Sequence, residues 1–310
     1  HRVVHGEMPE FDNSPESDFF LLRENSKYSV PGKIVNLVTS RLPSGYGFDS
    51  VNDIQVLCPG RKGECGTENI NTLLQARLNP PDKSKNEIKY KGTVLREGDK
   101  VMQIKNNYDV PWFKSGENGS GVFNGDIGTL TRIDRANDII NVKFDDKEAM
   151  YSVENVKELE LAYAMTVHKS QGSEFDCVVM NVANIPPKLA YRNLFYTALT
   201  RAKKLLVLVG NEQSIKAMVD NGFHTLALAD VWENKGVWGS RSVAIVPKHG
   251  YKLGRFKVLP FNACHDVPCV GYLIEHPECG RIMFLTDSCE CLSLFPRLNH
   301  ILIEIGRAHV

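Results

Sequence analysis

The chain has 310 residues, and 37 Lys+Arg balance 37 Asp+Glu for a formal net charge of zero. Hydrophobic residues make up 42% and charged residues 24%, a globular composition that excludes global disorder and supplies a core without staples. The length implies two or three domains, and no apolar run approaches the roughly 18–20 residues of a membrane span.

The eight cysteines lack the dense spacing of a disulfide scaffold, which predicts a reduced, cytoplasmic protein. Zero net charge names no partner, but a local basic patch remains compatible with it.

To about residue 92, an apolar segment at Ile34–Leu42 precedes a strand-like run at Ile54–Cys58. A polar Gly-rich loop follows. A helix then fits Asn69 to Leu78, stopped by Asn79-Pro80-Pro81, and the lysine-rich stretch Asp82–Lys91 reads as an exposed loop. From about 93 to 158 the period changes. Val94, Val101 and Ile104 fit one strand-like run, and Asn106 to Gly121 reads as a loop rich in Asn and Gly. VFNGDIGTLTRID (122–134) and IINVKF (139–144) carry turn signals at Asn124-Gly125 and Ala136-Asn137-Asp138. Short strands at this spacing predict a small β-barrel of SH3-like size.

From about 159 to 222, LELAYAMTVHKSQG leads to the apolar strand FDCVVMNV (175–182). A helix fits Leu189–Lys203, then a strand LLVLVG (205–210) and a helix Gln213–Asp220. Apolar strands between helices predict an α/β fold with a parallel sheet covered on both faces. Beyond 222, β-like runs recur at 243–247, 255–261, 269–275, 281–287 and 300–304.

Two strings carry chemistry. TVHKSQGSEF (166–175) and YTALTRAKK (196–204), in this order and each followed by a strand, resemble motifs V and VI of superfamily 1 helicases, most closely the RecD-like DNA helicases. The resemblance covers roughly residues 1–222. It includes DIQVLCPGRKGECGTENINTLLQARLNP (53–80), REGDKVMQIKNNYD (96–109) and VFNGDIG (122–128). It implies a second RecA-like motor domain over 1–92 and 159–222, with an SH3-like insertion over 93–158. It also implies ATP and Mg²⁺ as cofactors, single-stranded DNA as partner and 5′–3′ movement along it.

By that resemblance Arg201 is the arginine finger. A guanidinium suits the charge that phosphoryl transfer spreads over γ-phosphate oxygens. Alone, Arg201 would read as a surface cation near a helix C-terminus. Gln171 and Gly172 would couple nucleotide to DNA, and Glu174 would lie near the nucleotide sugar. Arg192 and Tyr196 could line the ATP cleft, although Tyr196 fits a core position equally well. Thr166, His168, Lys169 and Ser170 match a segment that touches the DNA backbone, where hydroxyl, imidazole and N–H donors suit phosphate oxygens. Asn106, Asn107, Tyr108 and Trp112 are candidate strand contacts in the insertion, since aromatics can stack on bases.

No G-x-x-x-x-G-K-[ST] occurs, and the only Gly-Lys pair, Gly32-Lys33, is followed by Ile34. No Walker B strand is evident either. The expectation is that the first RecA-like domain is missing, and that the chain alone has no helicase or ATPase activity.

Residues 249–304 resemble the middle of metallo-β-lactamase-fold hydrolases, through His265-Asp266 and Thr286-Asp287 at strand ends. The resemblance implies a partial α/β segment over about 223–304. His265 and Asp287 would be remnants of a Zn²⁺ or Mn²⁺ site that lacks its main H-x-H-x-D-H cluster and is therefore incomplete. Alternative functions are a phosphodiesterase-like metal-dependent hydrolase and a non-catalytic DNA-binding fragment. EIGRAHV (304–310) is what a common sequencing adapter encodes in frame, and the chain lacks an initiator Met. The expectation is a chimeric fragment whose tail, 305–310, is artefactual.

Overall fold

The computed structural model describes residues 2–14, 16–221, 225–228, 242–253, 255–263, 269–278, 280–285 and 295–303. These fall into two units, 1–222 and 223–310.

In the first unit, alternation along apolar strands sets the architecture. The elements begin with β1 (Phe19–Arg23), α1 (Val30–Asn36), a π turn, α2 (Leu42–Tyr46), β2 (Ile54–Cys58) and α3 (Thr67–Leu78). A β-rich stretch follows: β3 (Glu87–Tyr90), β4 (Thr93–Arg96), β5 (Lys100–Gln103), β6 (Asn107–Lys114), β7 (Glu117–Val122), β8 (Ile127–Asp134), β9 (Ile139–Phe144), β10 (Lys147–Tyr151) and β11 (Leu159–Leu161). The unit closes with β12 (Ala164–Thr166), β13 (Phe175–Val182), α4 (Arg192–Leu199), β14 (Ala202–Gly210) and α5 (Glu212–Asp220).

Strands β1, β14, β13, β2 and β12 form, in that order, one all-parallel sheet. Side chains alternate between its faces. Ile54, Val56, Cys177, Val179, Leu205 and Val207 pack on the side of α1 and α3, with Val30, Ile34, Ile70 and Leu74. Leu57, Val178, Met180, Leu206 and Leu208 pack on the other side, with Leu194, Phe195 and Ala198 of α4 and Ile215, Met218 and Val219 of α5. Both faces are thereby covered, as the unbroken apolar runs require.

Between α3 and β12, seven strands pair antiparallel in the order β11-β5-β8-β9-β10-β6-β7. Their inward residues, among them Val110, Leu130, Ile140, Val142 and Ala149, join the core on the α1 and α3 side.

The structure corrects four local readings. The lysine-rich stretch holds β3, which pairs with β4 through a two-residue turn, and Asn106–Gly121 is the hairpin β6–β7. Lys91-Gly92 and Ser115-Gly116 have positive φ at both positions (46° and 87°, 34° and 91°). This is the turn whose twist matches paired strands, so polar hairpins resemble loops in composition. The single run expected from Val94 to Ile104 breaks at Gly98, where φ is +91°. The helix expected to reach Lys203 ends at Leu199, because Ala202 opens β14 beside Phe175.

A buried carboxylate joins the two sheets. Asp99, fully buried, accepts hydrogen bonds from Gln75 Nε2 (2.6 Å), Asn79 Nδ2 (2.7 Å), Tyr163 Oη (3.0 Å) and the Arg96 amide (2.7 Å). Burial pushes its carboxyl up, while those hydrogen bonds oppose the rise. The adjacent Lys100 is also buried and donates Nζ to Val51 O at 2.6 Å. Burial drops its amine to about 8, against the opposing pull of Asp49 and Asp53.

In the second unit, β15 (Thr225–Leu228) and β16 (Ser242–Ile245) are parallel. β17 (Tyr251–Leu253), β18 (Phe256–Ala263), β19 (Cys269–His276), β20 (Gly280–Leu285) and β21 (His300–Ile303) form a sheet in chain order. It is antiparallel except for the β20–β21 pair. Phe261, Met283 and Leu285 form its core, with the Phe295 ring tilted against Phe261 at 4.7 Å. Among the described residues this unit contains strands and no helix, whereas the resemblance led to an expected α/β segment. His265 and Asp287 lie outside the described residues. Among the described residues no helix is long and apolar enough to cross a membrane.

Asp99→Ala orphans several buried donors, each costing about 1–3 kcal/mol. Urea unfolding is therefore expected to show a loss of about 3 kcal/mol or more. Lys100 titrates lower in the fold than its ordinary value of 10.5, so the charged form opposes folding. The stability of the native chain relative to Lys100→Met should be flat below about pH 8, rise as pH climbs towards 10.5, and gain a few kcal/mol at most. Paired unfolding curves across that window check the sign.

Candidate functional site

The motif V string starts at the carboxyl end of β12, where Thr166 lies opposite Cys58 of β2. One 3-10 turn, Val167–Ser170, follows, and the Thr166 hydroxyl caps it by accepting from the Lys169 amide at 3.4 Å. Val167 enters the core. Ser170 is fully buried, its hydroxyl donating to Val167 O at 2.8 Å, so it anchors the turn and faces inward. His168 is exposed, with Nε2 at 2.7 Å from the Tyr191 hydroxyl.

Beyond the turn the chain runs back to the amino end of the sheet. Gln171 and Gly172 are exposed, and Gly172 sits at φ +86° with open space where a Cβ would stand. Glu174 is exposed, 4.0 Å from Lys203 Nζ.

There the two motifs meet. Arg201 accepts the Phe175 amide on its carbonyl at 2.8 Å. Its guanidinium donates to Ser173 O (2.9 Å), Thr197 O (3.1 Å) and Thr200 Oγ1 (3.0 Å). These partners are all neutral, and among the described residues no carboxylate is within ion-pair distance of Arg201. The fold thus joins the motif V segment to Arg201 through Ser173 O and the Phe175 amide, with the guanidinium held by carbonyls and a hydroxyl.

Other expected residues lie elsewhere. Arg192 opens α4, the far end from Thr200, about 12 Å away along an eight-residue helix. Its guanidinium donates to Val219 O (2.7 Å) and Val4 O (3.3 Å), tying α4 to α5 and to the N-terminal segment. Tyr196, one turn before Thr200, is exposed, which sets aside the core reading. Asn106 accepts from the Asn124 amide at 2.9 Å, and Asn107 donates to Glu158 at 2.9 Å, so both brace the ends of the β6–β7 hairpin. Tyr108 stays exposed, edge-on to Phe123 at 5.8 Å. Trp112 lies under Lys147 Nζ at 4.5 Å.

Lys169 has partners that no linear string reveals. Its Nζ donates to Glu160 at 2.9 Å, and Arg61 donates to the same carboxylate at 2.7 Å. Burial alone would raise the Glu160 carboxyl. The hydrogen bonds and charges of Lys169 and Arg61 outweigh burial and hold it below the usual range. Arg61 could have been suspected from its place in the loop after a buried parallel strand, where α/β folds bind ligands. For Glu160 the sequence holds no such signal.

Residues 70–144 match the family model of the ATP-dependent RecD-like DNA helicase SH3 domain, and residues 161–209 match that of the UvrD-like helicase C-terminal domain. The first unit is similar to the C-terminal region of RecD-like helicases. The ATP-dependent RecD2 DNA helicase of Deinococcus radiodurans is 36% identical over 152 residues, covering 48% of this chain and 19% of that protein. The RecBCD enzyme subunit RecD of Buchnera aphidicola subsp. Acyrthosiphon pisum is 30% identical over 219 residues, covering 66% of this chain and 34% of that protein. The chain therefore spans about a fifth to a third of the length of these relatives. The crystal structure of Bacteroides Pif1 bound to ssDNA overlaps 68% of this chain and 52% of its own, at 16% identity and a TM-score of 0.35. That score is too low to establish a shared fold.

Gly172→Ala meets no neighbour but places a side chain in the left-handed region. A loss of about 1 kcal/mol in urea unfolding is expected, without change in the folded spectrum.

Proposed function

We propose that the first unit is the C-terminal motor domain of an ATP-dependent 5′–3′ DNA helicase, RecA-like over 1–92 and 159–222 with an SH3-like insertion over 93–158. In this reading the unit presents Arg201 to the γ-phosphate of an ATP·Mg²⁺ held by a separate P-loop domain. The observation that carries it is the guanidinium of Arg201, fixed against the motif V loop through Ser173 O and paired with no carboxylate among the described residues. A cation parked on neutral acceptors keeps its full charge for an anionic transition state. Lys33 of the Gly32-Lys33 pair is engaged with Glu24 at 2.8 Å and sits on α1, so it supplies no phosphate-cradling lysine.

Gln171, Gly172 and Glu174, in the segment that meets Arg201 through Ser173 O, would sense the nucleotide, with Tyr196 exposed on the preceding helix turn. Thr166, His168 and Lys169, earlier in the same segment, would meet the backbone of single-stranded DNA. One crossover segment of about ten residues joins the two sites, a short mechanical path between nucleotide and strand.

The chain alone is expected to release no phosphate from ATP above an Arg201→Ala control, with or without single-stranded DNA. Fused behind the P-loop domain of a RecD-like relative, it should gain DNA-stimulated turnover, and Arg201→Ala should cut that turnover by about a thousandfold or more. Full turnover in the fused Arg201→Ala variant would sink the assignment.

A further inference from the structure

Glu160 holds two cations from separate parts of the first unit. Arg61 leaves the carboxyl end of β2, Lys169 leaves the carboxyl end of the neighbouring β12, and Glu160 stands on β11, an outer strand of the antiparallel sheet. Arg61 Nη2 reaches one carboxylate oxygen at 2.7 Å, and Lys169 Nζ reaches the other at 2.9 Å. The side chains of Arg61, Lys169 and Glu160 are 51%, 26% and 31% exposed, so solvent reaches all three. Glu68 approaches Arg61 at 3.7 Å, beyond hydrogen-bond distance, and Lys62 is exposed alongside.

We infer that Arg61 and Lys169 form a clamp for one backbone phosphate of single-stranded DNA, and that Glu160 is the resident anion which this phosphate displaces. The inference rests on the proposed reading of the unit as a strand-binding helicase domain. A carboxylate presents two oxygens on one centre with one negative charge. A phosphodiester does the same with its two non-bridging oxygens, so both cations can transfer without moving their backbones. Arginine supplies a planar fork and lysine a point charge. Ion pairs with this much exposure are worth only about 0–1 kcal/mol, weak enough to exchange. Until the phosphate arrives, the carboxylate keeps the two cationic heads converged. The contact reads no base, as a domain that travels along arbitrary sequence requires.

Charge counting makes this testable. Glu160→Gln removes one negative charge from beside the two cations and so raises the net charge of the cluster by one. Binding of a fluorescent oligothymidine to the full chain, followed by anisotropy across a salt series, should tighten several-fold at low salt in Glu160→Gln. Its slope of log Kobs against log salt should steepen by about 0.7. Arg61→Ala and Lys169→Ala should each weaken binding and flatten the slope by about 0.7, whereas Arg61→Lys should retain the slope. Arg61→Ala added to Glu160→Gln should abolish the gain. If Glu160 merely held the loop in place, Glu160→Gln would weaken binding or leave the slope unchanged, and either result overturns the clamp. So does an Arg61→Ala slope equal to that of the native chain. A native chain that binds no oligothymidine at any salt would instead bring down the strand-binding reading itself, and the clamp with it.

Discussion

Asp99 stands where the chain leaves one sheet for another and later returns. Gln75 and Asn79 come from the end of α3, the last element before the excursion, and Tyr163 comes from the residue just before β12, where the chain re-enters. One carboxylate thus binds exit and re-entry together. The long antiparallel excursion between them begins and ends at a fixed point. Around it, Asn71 accepts from the Ala164 amide at 2.7 Å and donates to Ala164 O at 2.8 Å, so it sets where β12 starts. Gln55 donates to Ala162 O at 3.1 Å, which holds the same crossing from the side of β2. Buried polar networks of this kind are costly unless complete. Here the partners come from segments distant in sequence, with only Gln55 Oε1 of this network left buried without one, and so specify how the two sheets join.

That junction positions the motif V segment. Three residues after Tyr163 the chain reaches Thr166, and from there one capped turn and a buried Ser170 direct it along the face of the sheet towards Arg201. The direction of each exposed side chain in the segment follows from which neighbours are buried. Val167 and Ser170 point inward and His168 outward, with Lys169 at the boundary. The string therefore works as a strap with an anchored side and a presenting side, and only its presenting side is open to chemistry.

What could be read from the sequence followed burial. β2 and β13 have the limits that their apolar runs predict, because burial on both faces keeps them apolar apart from Gln55, Asp176 and Asn181. Hairpins β3–β4 and β6–β7 were hidden because their turns use Lys91-Gly92 and Ser115-Gly116 amid polar residues that match a loop in composition. α4 was over-extended because Ala202 continues its apolar spacing. Pairing with β13, a tertiary interaction, claimed that residue for β14. Arg201 and the motif V residues were legible as strings, with their meeting through Ser173 O legible only in three dimensions. The Arg61–Glu160 pair spans 99 residues of sequence and belongs to no string at all.

The main chain of Arg201 is sealed into the sheet by the Phe175 amide, while its side chain rests on three neutral oxygens. Those contacts fix orientation without cancelling charge, and they can be surrendered by rotation about side-chain bonds alone. A guanidinium stored in this way resembles a latch held by friction more than one held by a magnet. Added salt, which loosens charge–charge contacts, has little to act on, and among the described residues an arriving anion has no competing carboxylate to evict. At the other end of the same segment, Lys169 begins already occupied by Glu160. The two ends of one short strap therefore start from opposite electrostatic conditions, one cation uncompensated and the other shared.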